Sequence, residues 1–174
     1  MGRKLFAVLA MFLLPGCVGL GGIQEREKIY GKEVPAITHS FASEQVITGE
    51  NWRVYINASD SDGDIDQVVC YVDFQAGLLQ PYPISFTKIG KDQQKNLSGY
   101  LFLNTSGLLR PISIILVVQV KDKAGHVSAP ISLSVNIGEP SQKQKDIRRE
   151  DPPQGIFQDK NLGPIMIVLT SDVG

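Results

Sequence analysis

Residues 52–74 read WRVYINASDSDGDIDQVVCYVDF, and this stretch decides the fold class. Apolar and polar residues alternate on both sides of an acidic segment that contains one glycine. The apolar residues on one face are Trp52, Val54, Ile56 and Ala58 before that segment, and Val68, Cys70 and Val72 after it. Alternation with a period of two is typical of strands that bury one face. The stretch therefore predicts two half-buried β-strands joined by a short connection.

The acidic segment between these strands raises the question of a metal site. It carries carboxylates at alternate positions, namely Asp60, Asp62, Asp64 and Asp66. Calcium prefers such oxygen ligands, but the helical calcium loop would need glycine and glutamate where Ile65 and Tyr71 stand. We interpret the segment as a hairpin connection in which aspartates cap backbone amides and Gly63 takes a positive φ angle. The alternative is a weak calcium site formed by the four aspartates.

Short strands of the same kind continue between residues 34 and 138. Residues 112–120 are almost wholly apolar, as a strand in the middle of a sheet would be, and residues 131–137 alternate with one polar face. Shorter candidates, separated by Gly, Asp, Asn and Pro, are residues 35–39, 45–47, 82–89 and 100–103. About seven short strands with turn signals between them predict an all-β antiparallel sandwich.

The same region resembles the immunoglobulin-like modules of bacterial cell-surface proteins. Four motifs carry the resemblance: Ala-x-Asp-x-Asp-Gly at residues 58–63, a V-x-F-Y-V-D type of strand at 68–73, Pro81-Tyr82, and Asp-x-Ala-Gly at 122–125. The match covers residues 34–138 and implies an immunoglobulin-like β-sandwich without naming a ligand. Cys70 departs from the pattern, because these modules prefer an aromatic residue there.

The N-terminus reads MGRKLFAVLAMFLLPGCVGL, in which two basic residues precede an apolar run too short to span a bilayer. Its last four residues before Val18, Leu14-Pro15-Gly16-Cys17, resemble a bacterial lipobox. The resemblance implies removal of residues 1–16 as a signal peptide and lipidation of Cys17, and Val18 favours the outer membrane if the source is Gram-negative. Two or three acyl chains would give stable anchoring. The alternative is a soluble secreted protein cut near Gly16.

The segments that flank the sandwich are polar or short. Residues 17–33 are glycine-rich and then charged, which predicts a lipidated tether, and residues 139–155 predict a charged linker. Residues 156–174 form a C-terminal segment with one apolar, β-branched candidate strand, made of Ile165, Met166, Ile167, Val168, Leu169 and Thr170. An apolar strand left free would promote aggregation. We therefore expect it to add to an edge of its own sandwich or, alternatively, of a partner protein.

Candidates for catalysis are few. His39 and His126 lie in no nucleophile or zinc motif, and both are predicted to be surface polar residues. Cys70 alternates with valines and is predicted to be a buried small hydrophobe, and it has no disulfide partner once Cys17 is lipidated. The chain has 17 basic and 18 acidic residues, which argues against binding nucleic acid. We expect no enzyme activity and, apart from the calcium alternative, no cofactor.

These features together predict an envelope lipoprotein that acts as a non-enzymatic interaction or structural module. Its expected partners are the membrane, through the lipid, and another envelope protein. The alternative function is an accessory carbohydrate-binding module at the cell surface. Tyr55 and Tyr71 point away from the predicted core and would form its ligand surface if their strands pair.

Overall fold

A computed structural model describes residues 22–73, 84–108, 110–138 and 151–167. Within these ranges the chain forms one α-helix, α1 (Ile23–Tyr30), one short 3-10 turn (Lys91–Gln93) and nine strands. The strands are β1 (Ala36–Ala42), β2 (Gln45–Ile47), β3 (Asn51–Ser59), β4 (Ile65–Asp73), β5 (Ile84–Lys88), β6 (Asn96–Asn104), β7 (Ile112–Asp122), β8 (Ile131–Gly138) and β9 (Asn161–Pro164).

The nine strands form two sheets that pack face to face. One sheet has the order β1-β3-β6-β9 and the other has the order β2-β8-β7-β4-β5. The pairings are antiparallel except those of β2 with β8 and of β9 with β6, which are parallel. The first two strands, β1 and β2, follow each other in the chain but lie in different sheets. In the second sheet, β4 is the direct neighbour of β7. This is an immunoglobulin-like β-sandwich, so the predicted fold class is confirmed.

The core is formed by the inward faces of both sheets. The faces predicted from the alternation are buried: Trp52, Val54, Ile56 and Ala58 on β3, and Val68, Cys70 and Val72 on β4. The central strand β7 contributes Ile114, Leu116, Val118 and Val120. The Trp52 indole Nε1 donates a hydrogen bond to the Ser43 carbonyl oxygen at 2.8 Å, which satisfies the polar atom of this buried ring.

The predicted hairpin between β3 and β4 is wrong. The two strands lie in different sheets, and the acidic loop crosses from one sheet to the other. The physical reason is that the apolar faces of both strands face each other across the core instead of sharing one sheet. The predicted positive φ angle of Gly63 is confirmed, at 76°.

The C-terminal segment docks on its own sandwich. β9 pairs with β6, the Ile165 amide donates to the Phe102 carbonyl oxygen at 2.8 Å, and the Met166 amide donates to Ser85 Oγ at 2.8 Å. Because Phe102 and Ser85 belong to different sheets, the segment closes one side of the sandwich.

This docking decides between the two interpretations of the candidate strand. Ile165 and Ile167 are buried in the core, whereas the side chain between them, Met166, is 73% exposed. The segment does add a strand to the chain's own sandwich, but this strand is β9 (Asn161–Pro164), and Ile165–Ile167 follow it without forming a strand. The predicted strand bounds are therefore wrong for the described residues. The side chains of Ile165 and Ile167 are therefore not available to a partner protein, whereas Met166 is exposed. Val168, Leu169 and Thr170 lie outside the described residues.

Helix α1 corrects the prediction of an irregular tether over residues 17–33. None of its residues is buried, and its polar sequence has no apolar period, which is why the sequence did not predict it. A helix this short needs tertiary contacts. Glu27 Oε1 of the helix lies 3.1 Å from His126 Nε2. After the helix, the Glu33 amide donates a hydrogen bond to Asp62 Oδ2 at 2.8 Å. Across the described ranges, no helix has the length and apolarity to cross a bilayer.

Candidate functional site

The most unusual polar cluster lies at the end of the sandwich where β3 ends, β4 begins and β7 ends. In the antiparallel pairing of β4 with β7, Ile65 is opposite Asp122. The crossing loop therefore comes to lie beside the last residue of β7. This pairing brings together three aspartates that are far apart in the sequence, Asp60, Asp64 and Asp122.

The three carboxyl groups are removed from water. Asp60 is 3% exposed, Asp64 is 5% exposed and Asp122 is 2% exposed. One oxygen of each lies within 4.8 Å of an oxygen of the other two. Asp60 Oδ1 accepts the Asp62 amide at 3.0 Å, but Asp60 Oδ2 and both oxygens of Asp64 have no hydrogen-bond partner among the described residues. Buried carboxylates without partners are unfavourable unless they bind a cation or a proton.

The third carboxylate of the cluster organises the turn after β7. Asp122 Oδ1 accepts the backbone amides of Gly125, at 2.5 Å, and of His126, at 2.7 Å. Asp122 Oδ2 lies 2.8 Å from His126 Nδ1, and the other ring nitrogen faces Glu27. Contacts with Glu27 and then Asp122 raise the pKa of His126. The prediction that His126 is a surface polar residue is wrong, because its ring bridges the turn and α1; His39 is exposed, as predicted.

Burial and the contact between Asp60 and Asp64 affect the protonation of Asp60. Burial, and then a side-chain hydrogen bond with the carboxyl group of Asp64, raise the pKa of Asp60 to about 6. Both effects disfavour the negatively charged form. Asp60 therefore holds a proton more readily than an ordinary carboxyl group does.

Two of the four aspartates in the predicted calcium set lie outside this cluster. Asp62 is exposed and accepts the Glu33 amide, and Asp66 forms an ion pair with Lys88. The alternative calcium site made of all four aspartates is therefore wrong in composition. The loop buries Asp60 and Asp64, whereas it leaves Asp62 exposed and Asp66 paired with Lys88. Asp122 was not predicted, since its proximity depends on the pairing of β4 with β7.

The predicted ligand surface of Tyr55 and Tyr71 does not form. Their strands do not pair, because β3 and β4 belong to different sheets. Tyr55 is 7% exposed, and its ring centroid lies 5.7 Å from that of Phe157 and 5.4 Å from that of Tyr100. The segment before β9 therefore covers Tyr55. Tyr71 lies on the outer side of the other sheet, opposite Ile84 of β5.

The outer faces of the two sheets are consequently different. On the four-stranded sheet, Asn57 Nδ2 donates to the Ile156 carbonyl oxygen at 2.8 Å, which fixes the covering segment over Tyr55. On the five-stranded sheet, Ile84 is 54% exposed and Phe86 is 60% exposed. The chain itself thus covers one outer face at Tyr55, whereas the other outer face presents Ile84 and Phe86 to solvent.

The described residues give no support to nucleophilic catalysis by Cys70. It is 1% exposed, which confirms the prediction of a buried residue. Burial raises the pKa of its thiol to about 12, so the reactive thiolate is almost absent near neutral pH.

No protein-family model matches the chain, and no curated protein matches it either. Among solved structures, the PKD domain of an M14-like peptidase from a Thermoplasmatales archaeon is 12% identical, with 62% of this chain and 98% of that chain covered and a TM-score of 0.37. A Listeria innocua beta-glucosidase in complex with glucose is 12% identical, with 63% of this chain but 17% of that chain covered and a TM-score of 0.37.

A third solved structure is the CARDB domain of a Pyrococcus furiosus protein, in complex with di-metal ions. It is 9% identical, with 61% of this chain and 87% of that chain covered and a TM-score of 0.30. The strand order of the two sheets defines this chain as an immunoglobulin-like β-sandwich, and these likenesses add no function to that assignment.

Proposed function

We propose that this chain is a lipid-anchored, non-enzymatic module of the cell envelope that binds another envelope protein through the outer face of its five-stranded sheet. The observation that carries this proposal is the unequal cover of the two outer faces. The C-terminal segment buries the aromatic residue at the centre of one face, Tyr55, whereas Phe86 on the other is 60% exposed.

The exposed residues of the five-stranded sheet form one patch. In the pairing of β4 with β5, Phe86 is opposite Val69 and Ile84 is opposite Tyr71. Residues opposite each other in a sheet share a face, so these four side chains are neighbours. Single exposed apolar residues are ordinary, but a contiguous group of them marks an interaction surface. We call Val69, Tyr71, Ile84 and Phe86 the apolar patch.

The chemistry of the apolar patch favours a protein as its occupant. Isoleucine, valine and phenylalanine contribute carbon surface of the kind found at the centre of protein interfaces. A sugar-binding surface would need polar groups placed to orient the ligand. The carbohydrate alternative also loses its second tyrosine, because Tyr55 is buried against Phe157.

The anchor in this proposal is Cys17, which lies outside the described residues. Its support is the lipobox resemblance of Leu14-Pro15-Gly16-Cys17 and the apolar run before it. A lipid at Cys17 would hold the sandwich at the membrane surface, at the outer membrane if the source is Gram-negative.

Photo-crosslinking in intact envelopes tests this function. A benzophenone-bearing phenylalanine would replace Phe86 on the apolar patch and, as a matched control, Ser40, which is exposed on β1 of the other sheet. We expect a discrete protein adduct from position 86 that is absent from position 40. Adducts with lipid alone, equal adducts from both positions, or no adduct from position 86 would each contradict the proposed protein partner.

A further inference from the structure

We propose that Asp60, Asp64 and Asp122 together bind one calcium ion at the loop end of the sandwich. This site is separate from the apolar patch and does not depend on the interaction proposed for it. It also differs from the set of four aspartates that the loop sequence suggested, because it omits Asp62 and Asp66 and adds a ligand from β7.

The position of the three carboxylates supports a single ion. Their oxygens lie within 4.8 Å of one another, and each residue is at least nine-tenths buried. Oxygen ligands of one calcium ion, each about 2.4 Å from it, would lie no more than about 5 Å apart. The separation of the three groups therefore matches ligands placed around one central cation.

The unpartnered oxygens provide an independent observation. When both carboxyl groups are ionised, Asp60 Oδ2 and both oxygens of Asp64 are buried and accept no hydrogen bond from the described residues. Only a proton placed between Asp60 and Asp64 would let these two groups hydrogen-bond to each other. The turn itself needs only Asp60 Oδ1, which caps the Asp62 amide. The remaining oxygens thus have no part in holding the loop, and one oxygen of each carboxyl group lies within 4.8 Å of the others. A bound cation would give them the partner that burial requires.

Lys123 and His126, which lie close to Asp122 in the sequence, do not supply that partner. The Lys123 ammonium, next to Asp122 in the sequence, bonds to Gln94 Oε1 at 2.8 Å. His126 contacts Asp122 with one ring nitrogen and Glu27 with the other, so its ring holds the Asp122 carboxylate and has no nitrogen left to bind a metal. The negative charge of Asp60 and Asp64 is therefore not neutralised by these groups.

The ligand chemistry selects calcium among the common cations. All three side chains offer hard carboxylate oxygens, which suit calcium, magnesium or manganese and not the softer zinc or copper. Magnesium usually keeps several of its waters, whereas calcium accepts a larger and more flexible set of protein oxygens. A cluster that is closed off from solvent favours the ion that exchanges its waters for protein ligands.

A competing explanation is a proton shared between Asp60 and Asp64. Substitution of Asp64 by asparagine separates the two. In chelator, asparagine at position 64 removes charge repulsion if both carboxylates are ionised, and it can donate a hydrogen bond to Asp60 if the two groups share a proton. Asp64→Asn should therefore melt at or above the wild-type temperature in either case. Only a calcium site also predicts that the wild type gains stability from calcium and that this gain disappears in the variant.

Thermal unfolding of the full chain in detergent, in EGTA and then in about 5 mM calcium, tests the site; this concentration exceeds the Kd of about 0.1 to 1 mM typical of extracellular calcium modules. We expect calcium to raise the wild-type Tm by roughly 3 to 10 °C. Asp64→Asn should show no rise, whereas the control Asp66→Asn, which loses only an ion pair with Lys88, should respond like the wild type.

Titration calorimetry of the same three proteins supplies a second measurement. Heat of calcium binding should be present for the wild type and Asp66→Asn and absent for Asp64→Asn. No shift and no heat for the wild type, or an unchanged response of Asp64→Asn, would overturn the site. An equal response to magnesium would overturn the assignment to calcium.

Discussion

Gly63 is the residue on which the backbone of the crossing loop most depends. Its φ angle is 76°, a left-handed conformation that is strained for residues with a side chain. A Cβ atom added there would lie 3.5 Å from the Cβ of Lys95, which is ordinary contact. The requirement for glycine is therefore conformational and not a matter of space.

We expect Gly63→Ala to lower the free energy of unfolding by about 1 kcal/mol, because alanine is strained at this φ angle. Urea denaturation measures this change. Gly107→Ala is the matched control, since Gly107 has no positive φ angle and no atom within 4 Å of an added Cβ. Equal effects of the two substitutions would contradict the conformational explanation.

The three aspartates of the carboxylate cluster differ in whether the sequence alone could predict them. Asp60 and Asp64 could be predicted as candidate ligands because they lie close together in one acidic loop. Asp122 could not, because its position beside them results from the pairing of β7 with β4. Tyr55 was predicted to face outward and does so, but its burial by Phe157 depends on a contact with a residue about one hundred positions away.

At the scale of secondary structure, the C-terminal segment is part of the fold. Ile165 and Ile167 are 4% and 6% exposed, and the backbone between them bonds to both sheets. The side chain of Met166 lies on the opposite side, in solvent. Neighbouring residues of one segment therefore offer a direct comparison of a buried and an exposed apolar side chain.

Ile165→Ala should lower the free energy of unfolding by about 2 to 5 kcal/mol, because it removes buried carbon and leaves a cavity. Met166→Ala should change it by less than about 0.5 kcal/mol, because that side chain has little contact to lose. Chemical denaturation of the two variants beside the wild type gives both values. If Ile165→Ala were as stable as Met166→Ala, the segment would not be docked as described.

Elements differed in how far they could be predicted. Strands such as β3 and β4 were predicted because their alternation is local and follows from one buried face. Helix α1 was not, because its sequence has no apolar side and its contacts, such as Glu27 with His126, come from a distant turn. The parallel pairing of β9 with β6 also depends on the path of the whole chain and not on its own short sequence.

At the scale of the whole molecule, the chain is a sandwich whose two outer faces differ in how far they are covered. The immunoglobulin-like class followed from the number and spacing of strands together with family motifs. The sequence could not indicate which outer face would be covered, because this depends on where residues 151–167 lie against the first sheet. The carboxylate cluster depends on the pairing of β4 with β7, and the apolar patch depends on the pairing of β4 with β5.

We propose that a lipid on Cys17 holds this module at a membrane. Intact mass measurement of the mature chain, extracted from the membrane fraction, tests this anchoring. We expect a chain that begins at Cys17 and carries the mass of a diacylglyceryl thioether and an amide-linked acyl chain, and we expect Cys17→Ser to be absent from that fraction in processed form. A mature chain that begins elsewhere, or an unmodified Cys17, would contradict lipid anchoring at Cys17.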